Sequence, residues 1–561
     1  MKSFMAYMGG QPVIIMREGT GRSRGKTAQK NNIAAAKIIG DVVKTTLGPR
    51  GMDKMLVDSL GDIVVTNDGA TILDKIDVEH PAAKMVIEVA KAQDDEVGDG
   101  TTTAVVLTSE LLRRAEDLIE QKIHPTTIIS GYRRAASLSY EMLKKNSMPV
   151  DLKNRDLLRK IVKTATASKS LGFAQDHIAD IAIDAVLAVT QKKGDKLTAD
   201  KDDIQINKKE GKSLMDSELI KGLIVDKEVV HSGMPKTVRN AKIALLDAAF
   251  EIEKTEISAE IRIRDPEKIQ AFLDEETNIL KEMVDKVVDT GAKVIFCQKG
   301  IDDAAQFFLA KKGIMTVRRV KKSDMEKLAK ATGGRVVTHF ADISAKDLGL
   351  AGLVQEKKIG EDKMVFVEQC KNPKAVAVLI RAGLERQMDE AERAFTDAIS
   401  NVIDVVRDNR VVAGGGAIEQ TLASGLRKAS RVLPGREQLA FEAFAETLES
   451  IPRTLAENAG LDPVDIMTNL RSTHEKATKT AANYGVDVFG GKVADMVKLG
   501  VIDPLAIKVQ AIKSSFEAAS MILRIDDVVA ASKKKLPGGG GMPGGMPGGM
   551  PGGMPGGMPP Y

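Results

Sequence analysis

The chain has 561 residues, a length that suggests about three to four domains rather than one core. Hydrophobic residues make up 43%, enough for a substantial core, while charged residues make up 29% and nearly cancel to a net charge of +4. With aromatics at 3% and no tryptophan, that balance excludes a basic nucleic-acid surface and a base-stacking platform.

At the N-terminus, "MKSFMAYMGG" lacks a long apolar region and a cleavage signal. No stretch of the chain reaches the roughly eighteen apolar residues needed to cross a bilayer. Both facts predict a cytoplasmic protein without a signal peptide. Next, "PVIIMREGTGRSRGKT" (Pro12 to Thr27) has a short apolar run, a glycine-containing loop and Gly25-Lys26-Thr27 before a helical pattern. That is the outline of a phosphate-gripping P-loop. The spacing misses by one residue on either side, because Gly21 stands three residues before Gly25 and Gly19 stands five before. The motif works by aiming consecutive backbone N–H groups at one anion, so the miss matters. Asp247, at the end of the apolar "IALLD", could supply a Mg²⁺-holding acid to such a site, but lies in a different part of the chain. The competing reading is a strand and a polar loop.

To about residue 150 the pattern is mostly helical. Ile33, Ile38, Ile39, Val42, Val43 and Leu47 fall at helical spacing, as do Ala104, Leu107, Leu111, Leu112, Ala115, Leu118 and Ile119. Between them, "GDIVVTNDGATIL" reads as a strand ended by an Asp-Gly turn at Asp68. "EVGDGTTTAVVLTSELL" places Gly98 and Gly100, then Thr101, Thr102 and Thr103, at the start of a helix. Free N–H groups and the helix dipole favour an anion there. Asp99 beside a phosphate is repulsive unless a cation lies between them, and Mg²⁺ is commonly held by one or two carboxylates plus phosphate oxygens. The stretch therefore reads either as a site for phosphate and Mg²⁺ or as a plainly capped helix start.

From about 200 to 380 the pattern changes. "KIALLDAAF", "KVIFCQ", "GIMTVRRV" and "GRVVTHF" are strand-like and several are separated by helical stretches, which predicts a small α/β domain. A hairpin turning at Gly360-Glu361-Asp362 and a buried strand, "AVAVLI", follow. Within this region the densely charged segment from Glu251 to Val288 ends in a helix opening at Asp265-Pro266. It reads as an ordinary amphipathic surface helix or as a projecting arm. The two cysteines, Cys297 and Cys370, have no CxxC partner and the six histidines no HxxxH spacing. Neither a disulfide framework nor a zinc site is expected, and the thiols read as small buried hydrophobes.

After about 380 the chain is helical again, with "VVAGGGAIE" at Gly414 to Gly416 and a long last helix, "PLAIKVQAIKSSFEAASMILRI". The Met-Pro-Gly-Gly repeats that follow cannot bury a core and predict a disordered tail. On local pattern alone, Asp397 pairs with Arg393 one helical turn before it on an exposed surface. Asp503 before Pro504 is a helix N-cap, and Lys169 in "TATASKS" is a solvated lysine.

Taken together, "TTLGPRGMDKMLVDSLGDIVVTNDGATIL", "HPAAKMVIEVAKAQDDEVGDGTTTAVVL", "VVAGGGAIE", "NAGLDPVDI" and "GVIDPLAIKVQAIKSSFEAASMILRIDDVVA" resemble the group II chaperonins, of the archaeal thermosome type. The likeness runs from about Gln11 to Ser532. It implies a mainly α fold with an α/β part: a discontinuous equatorial domain (1–153 and 412–535), an intermediate domain (154–224 and 378–411) and an apical domain (225–377). A helical protrusion at about 251–288 would form a built-in lid, so no co-chaperonin would be needed, and 536–561 would be the disordered tail. The resemblance further implies an ATP-hydrolysing chaperone that encloses non-native polypeptides in a double ring, homo- or hetero-oligomeric, of eight subunits per ring. It implies no nucleic-acid or membrane partner.

The family's ATP and Mg²⁺ residues carry over singly. Asp99 matches the Mg²⁺ ligand, and Gly100, Thr101, Thr102 and Thr103 the phosphate loop. Gly48 matches a glycine near the nucleotide, Ser168 and Lys169 the loop sensing the terminal phosphate, and Gly415 and Asp503 contacts to the nucleoside. Asp68 and Asp397 match the carboxylates that position the attacking water. The chain departs from the family's usual pattern at Arg50, Phe395 and Thr396, and "TATASKS" is a variable stretch, which makes Ser168 a weaker match than Lys169. No charged catalytic group is lost.

Overall fold

The computed structural model describes residues 5–8, 11–14, 21–57, 61–169, 171–194, 196–252, 266–371, 373–433, 435–476 and 480–530. Part of the glycine-containing loop (15–20), the first part of the charged segment (253–265) and the repeat tail (536–561) lie outside them. The chain divides into two compact units, Met1–Gln29 with Ile525–Tyr561, and Lys30–Arg524.

In the first unit, Met5–Met8 and Gln11–Ile14 form an antiparallel hairpin. Gly21–Arg24 pairs antiparallel with Asp527–Ala530, reinforced by Arg22 on Asp527. The P-loop reading fails here. The stretch that should curl around a phosphate is a paired strand, and the Gly25 N–H donates to the Asp526 carbonyl at 2.6 Å. Lys26 and Thr27 are exposed in the first turn of helix α1 (Gly25–Lys44).

The second unit is mostly helical with several small sheets. Along α1, Ile33, Ala36, Ile39 and Val43 are buried, whereas Ile38 is 63% exposed. Position 38 falls off the stripe that spacings of three and four generate. Helices α2 (Gly69–Lys75), α3 (Pro81–Val97), α4 (Thr101–Glu120) and α5 (Pro125–Asn146) follow. His80 and His124 cap α3 and α5, each with proline at the start of the helix. Next come α6 (Arg155–Ala165) and α7 (Gln175–Val189).

The α/β region is a seven-stranded mixed sheet. Its order is Leu223–Val225, Asp362–Glu368, Gly349–Ile359, Thr237–Leu246, Val294–Cys297 and Met315–Val317, with Val336–Val337 also pairing the fourth strand. Parallel pairing joins Thr237–Leu246 to Val294–Cys297 and the latter to Met315–Val317, while the hairpin is antiparallel. Strands whose faces are both covered read as continuous apolar runs, which is why "IALLD" and "VIFC" were legible. Helices α8 (Pro266–Asp289), α9 (Asp303–Lys311) and α10 (Lys322–Thr332) accompany the sheet. Leu280, Val284 and Val287 of α8 enter its core, whereas Phe272 and Leu273 are about half exposed (49% and 50%). Both cysteines are free and buried, as their spacing predicts.

The long helix α11 (Glu385–Asp408) packs with α6 and α7. Their core also takes residues from Val376–Ala382, which pairs in parallel with Ile204–Glu210. The chain closes with α12 (Ala417–Ser430), α13 (Glu437–Leu448), α14 (Ser450–Asn458), α15 (Pro463–Glu475), the short α16 (Met496–Leu499) and α17 (Leu505–Leu523). Side chains from α1 to α5 share one buried cluster with side chains from α12, α13 and α17. Sequence-distant halves of the chain thus build a single helical core. Among the described residues no helix is long and apolar enough to cross a membrane.

Candidate functional site

A cavity of about 540 Å³ opens beside the start of α4. All twelve residues singled out from the sequence line it: Gly48, Asp68, Asp99, Gly100, Thr101, Thr102, Thr103, Ser168, Lys169, Asp397, Gly415 and Asp503.

Gly100 caps α4 with φ +77°, a left-handed conformation that favours glycine. A Cβ there would also meet Ile507 Cγ2 at 2.7 Å. Buried Gln93 of α3 braces this turn, donating to the Asp99 carbonyl at 2.9 Å. The first turn of α4, with its three threonines, therefore lines the cavity, and a helix N-terminus of this kind favours an anion. Gly69, at the start of α2, lies so close that a Cβ would be 2.5 Å from Thr102 Oγ1. Two helix N-termini meet at this end. Asp68 caps α2, its Oδ2 accepting from the Thr71 N–H at 2.8 Å and the Thr71 hydroxyl at 2.7 Å.

Asp99 is partly buried, and desolvation pushes its carboxyl upward. Asn401 Nδ2, donating to Oδ2 at 2.8 Å, and the Gly100 N–H, donating to Oδ1, oppose that push. Asp397 lies on α11, and its ordinary reading as an exposed partner of Arg393 is overturned. Arg393 pairs with Glu390 instead, and the Asp397 side chain, 18% exposed, faces Lys169 at 3.5 Å. Burial holds Asp397 well above the usual carboxylate range; Lys169 opposes this, while Asp99, Asp68 and Asp94 add to it. Lys169 is not solvated but 4% exposed. Burial disfavours its charge, yet Asp397 and Asp68 outweigh that and raise it. The Ser168 carbonyl accepts from Asn67 at 2.6 Å, which ties this loop to the strand end before Asp68.

At the opposite end the wall is largely apolar, with Ile451 and Leu455 from α14, Val486 and Val488 from the hairpin of Tyr484–Asp487 and Lys492–Asp495, and Met496 from α16. Asp503 does not cap a helix; Pro504 precedes α17 without a side-chain cap, and Asp503 pairs with Lys508. Behind α14 lies Glu449, 1% exposed, its carboxylate gripped by Arg427 of α12 and Arg471 of α15. Burial alone would raise Glu449, but the two guanidiniums outweigh it and hold the carboxyl at about 2.

Among the described residues no three acidic, histidine or cysteine side chains converge closely enough to hold a metal by themselves. A cation at Asp99 would therefore complete its shell with phosphate oxygens and water, the usual habit of Mg²⁺. The aspartates that push one another upward around Lys169 fit such a cation. Sequence reasoning missed Lys508, Asn401 and the apolar wall. None carries a local motif, because each acquires its meaning only from chain that is distant in sequence.

A helix N-terminus set beside carboxylates suits a phosphate ligand that arrives with a cation. The family model described as the TCP-1/cpn60 chaperonin family matches residues 39–533. The chain is 56% identical over 543 residues to thermosome subunit beta of Archaeoglobus fulgidus, covering 96% of this chain and 99% of that one. It is 55% identical over 538 residues to thermosome subunit alpha of the same organism (95% and 98%). It is 56% identical over 522 residues to a thermosome subunit of Methanopyrus kandleri (93% and 95%). The chain belongs to the TCP-1/cpn60 chaperonin family. Its function is ATP-dependent assistance of protein folding, with hydrolysis of ATP, as the resemblance to group II chaperonins implied.

Proposed function

We propose that this cavity is where the chaperonin binds and hydrolyses ATP with Mg²⁺. The observation that carries the reading is the convergence on one cavity of twelve residues spread from Gly48 to Asp503. The α4 start, with Gly100 to Thr103, receives the phosphates, Lys169 with Ser168 faces the terminal one, and Gly48, Gly415 and Asp503 contact the nucleoside. Asp99 holds Mg²⁺, which when bound offsets phosphate charge. Asp397 and Asp68 orient a water whose oxygen attacks the terminal phosphorus. The bond to the bridging oxygen breaks, and Asp397, whose carboxyl burial holds above the usual range, takes the proton. Such catalysis works by placement and electrostatics.

The equatorial, intermediate and apical layout, with boundaries at 153, 224, 377 and 411, is part of the same reading. Helix α11, which carries Asp397, then belongs to the intermediate domain, so its approach completes the site and gates turnover. The half-exposed apolar residues at the N-terminal end of α8 support a protruding lid at about 251–288 that closes a chamber over non-native polypeptides without a co-chaperonin. The alpha and beta subunits named among the relatives support a mixed double ring, with eight subunits per ring expected.

Asp397→Ala tests the site. ATP binding should persist while hydrolysis falls about 10²-fold or more; near-normal turnover overturns the assignment. Electron microscopy tests the assembly. A top view with eightfold symmetry and an end closed by ATP alone is the expected outcome, and a ring that stays open with ATP sinks the lid.

A further inference from the structure

Lys508, in the first turn of α17, lines the cavity yet is only 12% exposed. Its Nζ lies 2.8 Å from Asp503 Oδ2 and 2.9 Å from Glu419 Oε1. Glu419, 4% exposed, stands in the first turn of α12, directly after the glycines at 414–416. One ammonium thus bridges two segments of the wall, one ending in the glycine run and the other in Asp503. Two carboxylates this close, Glu419 buried and Asp503 partly so, would repel one another without it.

The bridge leaves Asp503 with a fixed division of labour. Oδ2 is taken by Lys508 and packs against Gly414, where a Cβ would lie only 3.1 Å away. Oδ1 accepts no hydrogen bond among the described residues, and the side chain borders the cavity. An ionised carboxylate oxygen facing a ligand can only accept, so it selects an O–H or N–H donor. The first turn of α17, just beyond Asp503, also meets the α4 start: Gln93 Nε2 donates to the Asp99 carbonyl at 2.9 Å and the Ile507 carbonyl at 3.3 Å, and a Cβ on Gly100 would lie 2.7 Å from Ile507 Cγ2. The part of a nucleotide next to its phosphates, the sugar, is therefore what Asp503 meets. The donors on a ribose are its 2′- and 3′-hydroxyls.

We infer that Lys508, clamped by Glu419, is a positioning residue that aims Asp503 at the ribose hydroxyls and so makes the site selective for ribonucleotides. The inference rests on the reading of Asp503 as a nucleoside contact. The alternative is a structural ion bridge with no bearing on the sugar.

The test compares kcat and KM for ATP and 2′,3′-dideoxyATP in the assembled protein. The wild type should prefer ATP by about 10²-fold in kcat/KM, the scale of charge-assisted hydrogen bonds. The double variant Lys508→Met with Glu419→Gln keeps the cluster's net charge but frees Asp503. Its preference should fall to within about 3-fold, mostly through KM for ATP, since the lost contact is made in the ground state. A double variant that discriminates like the wild type overturns the inference. Should it fail to assemble, Glu419→Gln alone decides, because it loosens Lys508 without removing its charge; a preference lowered about 3-fold supports the inference and an unchanged one refutes it. Asp503→Ala separates the two layers. If it leaves the preference intact, the nucleoside role of Asp503 falls; if it erases the preference while the Lys508 variants keep it, only the role of Lys508 falls.

Discussion

Each end of the cavity places a largely buried lysine among carboxylates, but the two differ in how closely the charges meet. Lys508 touches Asp503 and Glu419 at 2.8 and 2.9 Å, a tight ion-paired cluster. Behind the same wall Glu449 is likewise neutralised by two arginines. Lys169 instead meets Asp397 at a looser 3.5 Å, and Asp68, Asp94 and Asp99 crowd the same space. Burial pushes Asp94, Asp99 and Asp397 upward, and for Asp397 the charges of Asp99, Asp68 and Asp94 add to it. One end is finished by folding alone. The other gathers several aspartates around one lysine at looser range, and a cation brought in with phosphate would turn their repulsion into attraction.

The contrast breaks most sharply on metal removal. Chelating divalent cations should reduce ATP hydrolysis by about 10³-fold or more, measured as phosphate release. Retention of activity would mean that Lys169 alone balances the carboxylates. A smaller effect tests the finished end. Glu449→Gln leaves two guanidiniums facing a neutral amide and should lower stability by about 3 kcal/mol, read from a denaturant midpoint at neutral pH. Because folding depresses the Glu449 pKa to about 2, its contribution is full above the ordinary glutamate range and is lost as pH falls through 2. The deficit of the variant should shrink accordingly.

The smallest effect lies back at the unfinished end. Asp404 of α11 is buried and pushed up to about 8 by burial, with the charge of Asp99 adding to the shift and Arg407 opposing it. The folded chain keeps this proton to about pH 8, whereas the unfolded chain releases it in the ordinary aspartate range. Stability is therefore lost as pH rises between the two values. Asp404→Asn removes that loss and should stabilise the protein by about 1–2 kcal/mol at pH 8 and by less at pH 5. An equal effect at both pH values would show that Asp404 is already ionised.

The phosphate end was legible because its chemistry is local. Gly98 to Thr103 carries its glycines, hydroxyls and carboxylate in six consecutive residues ahead of an apolar stripe. The α/β strands were legible for a similar reason, each being a continuous apolar run. The pairings were not. Asp397 and Arg393 sit one helical turn apart and look like partners, yet tertiary packing turns Asp397 inward to Lys169 and leaves Arg393 to Glu390. Lys508 reads as one more charge on a surface helix until Glu419, nearly ninety residues earlier, is folded against it. The P-loop outline failed for the converse reason. Its local pattern was nearly right, but strand pairing from the far end of the chain claimed its backbone.

Asn401 gives α11 a preferred resting point. Its side-chain amide donates one hydrogen to the Asp397 carbonyl of its own helix at 2.9 Å, and that bond fixes where the other must point. The other goes to Asp99, 2.8 Å away on a different segment. Sliding α11 by an ångström or two would strand a buried donor and leave Asp99 less compensated, at a cost of about 1–3 kcal/mol. That is about a tenfold bias or more in occupancy. If α11 moves as proposed, it would behave like a shaft with a detent, held in register with Asp99 by these two hydrogen bonds.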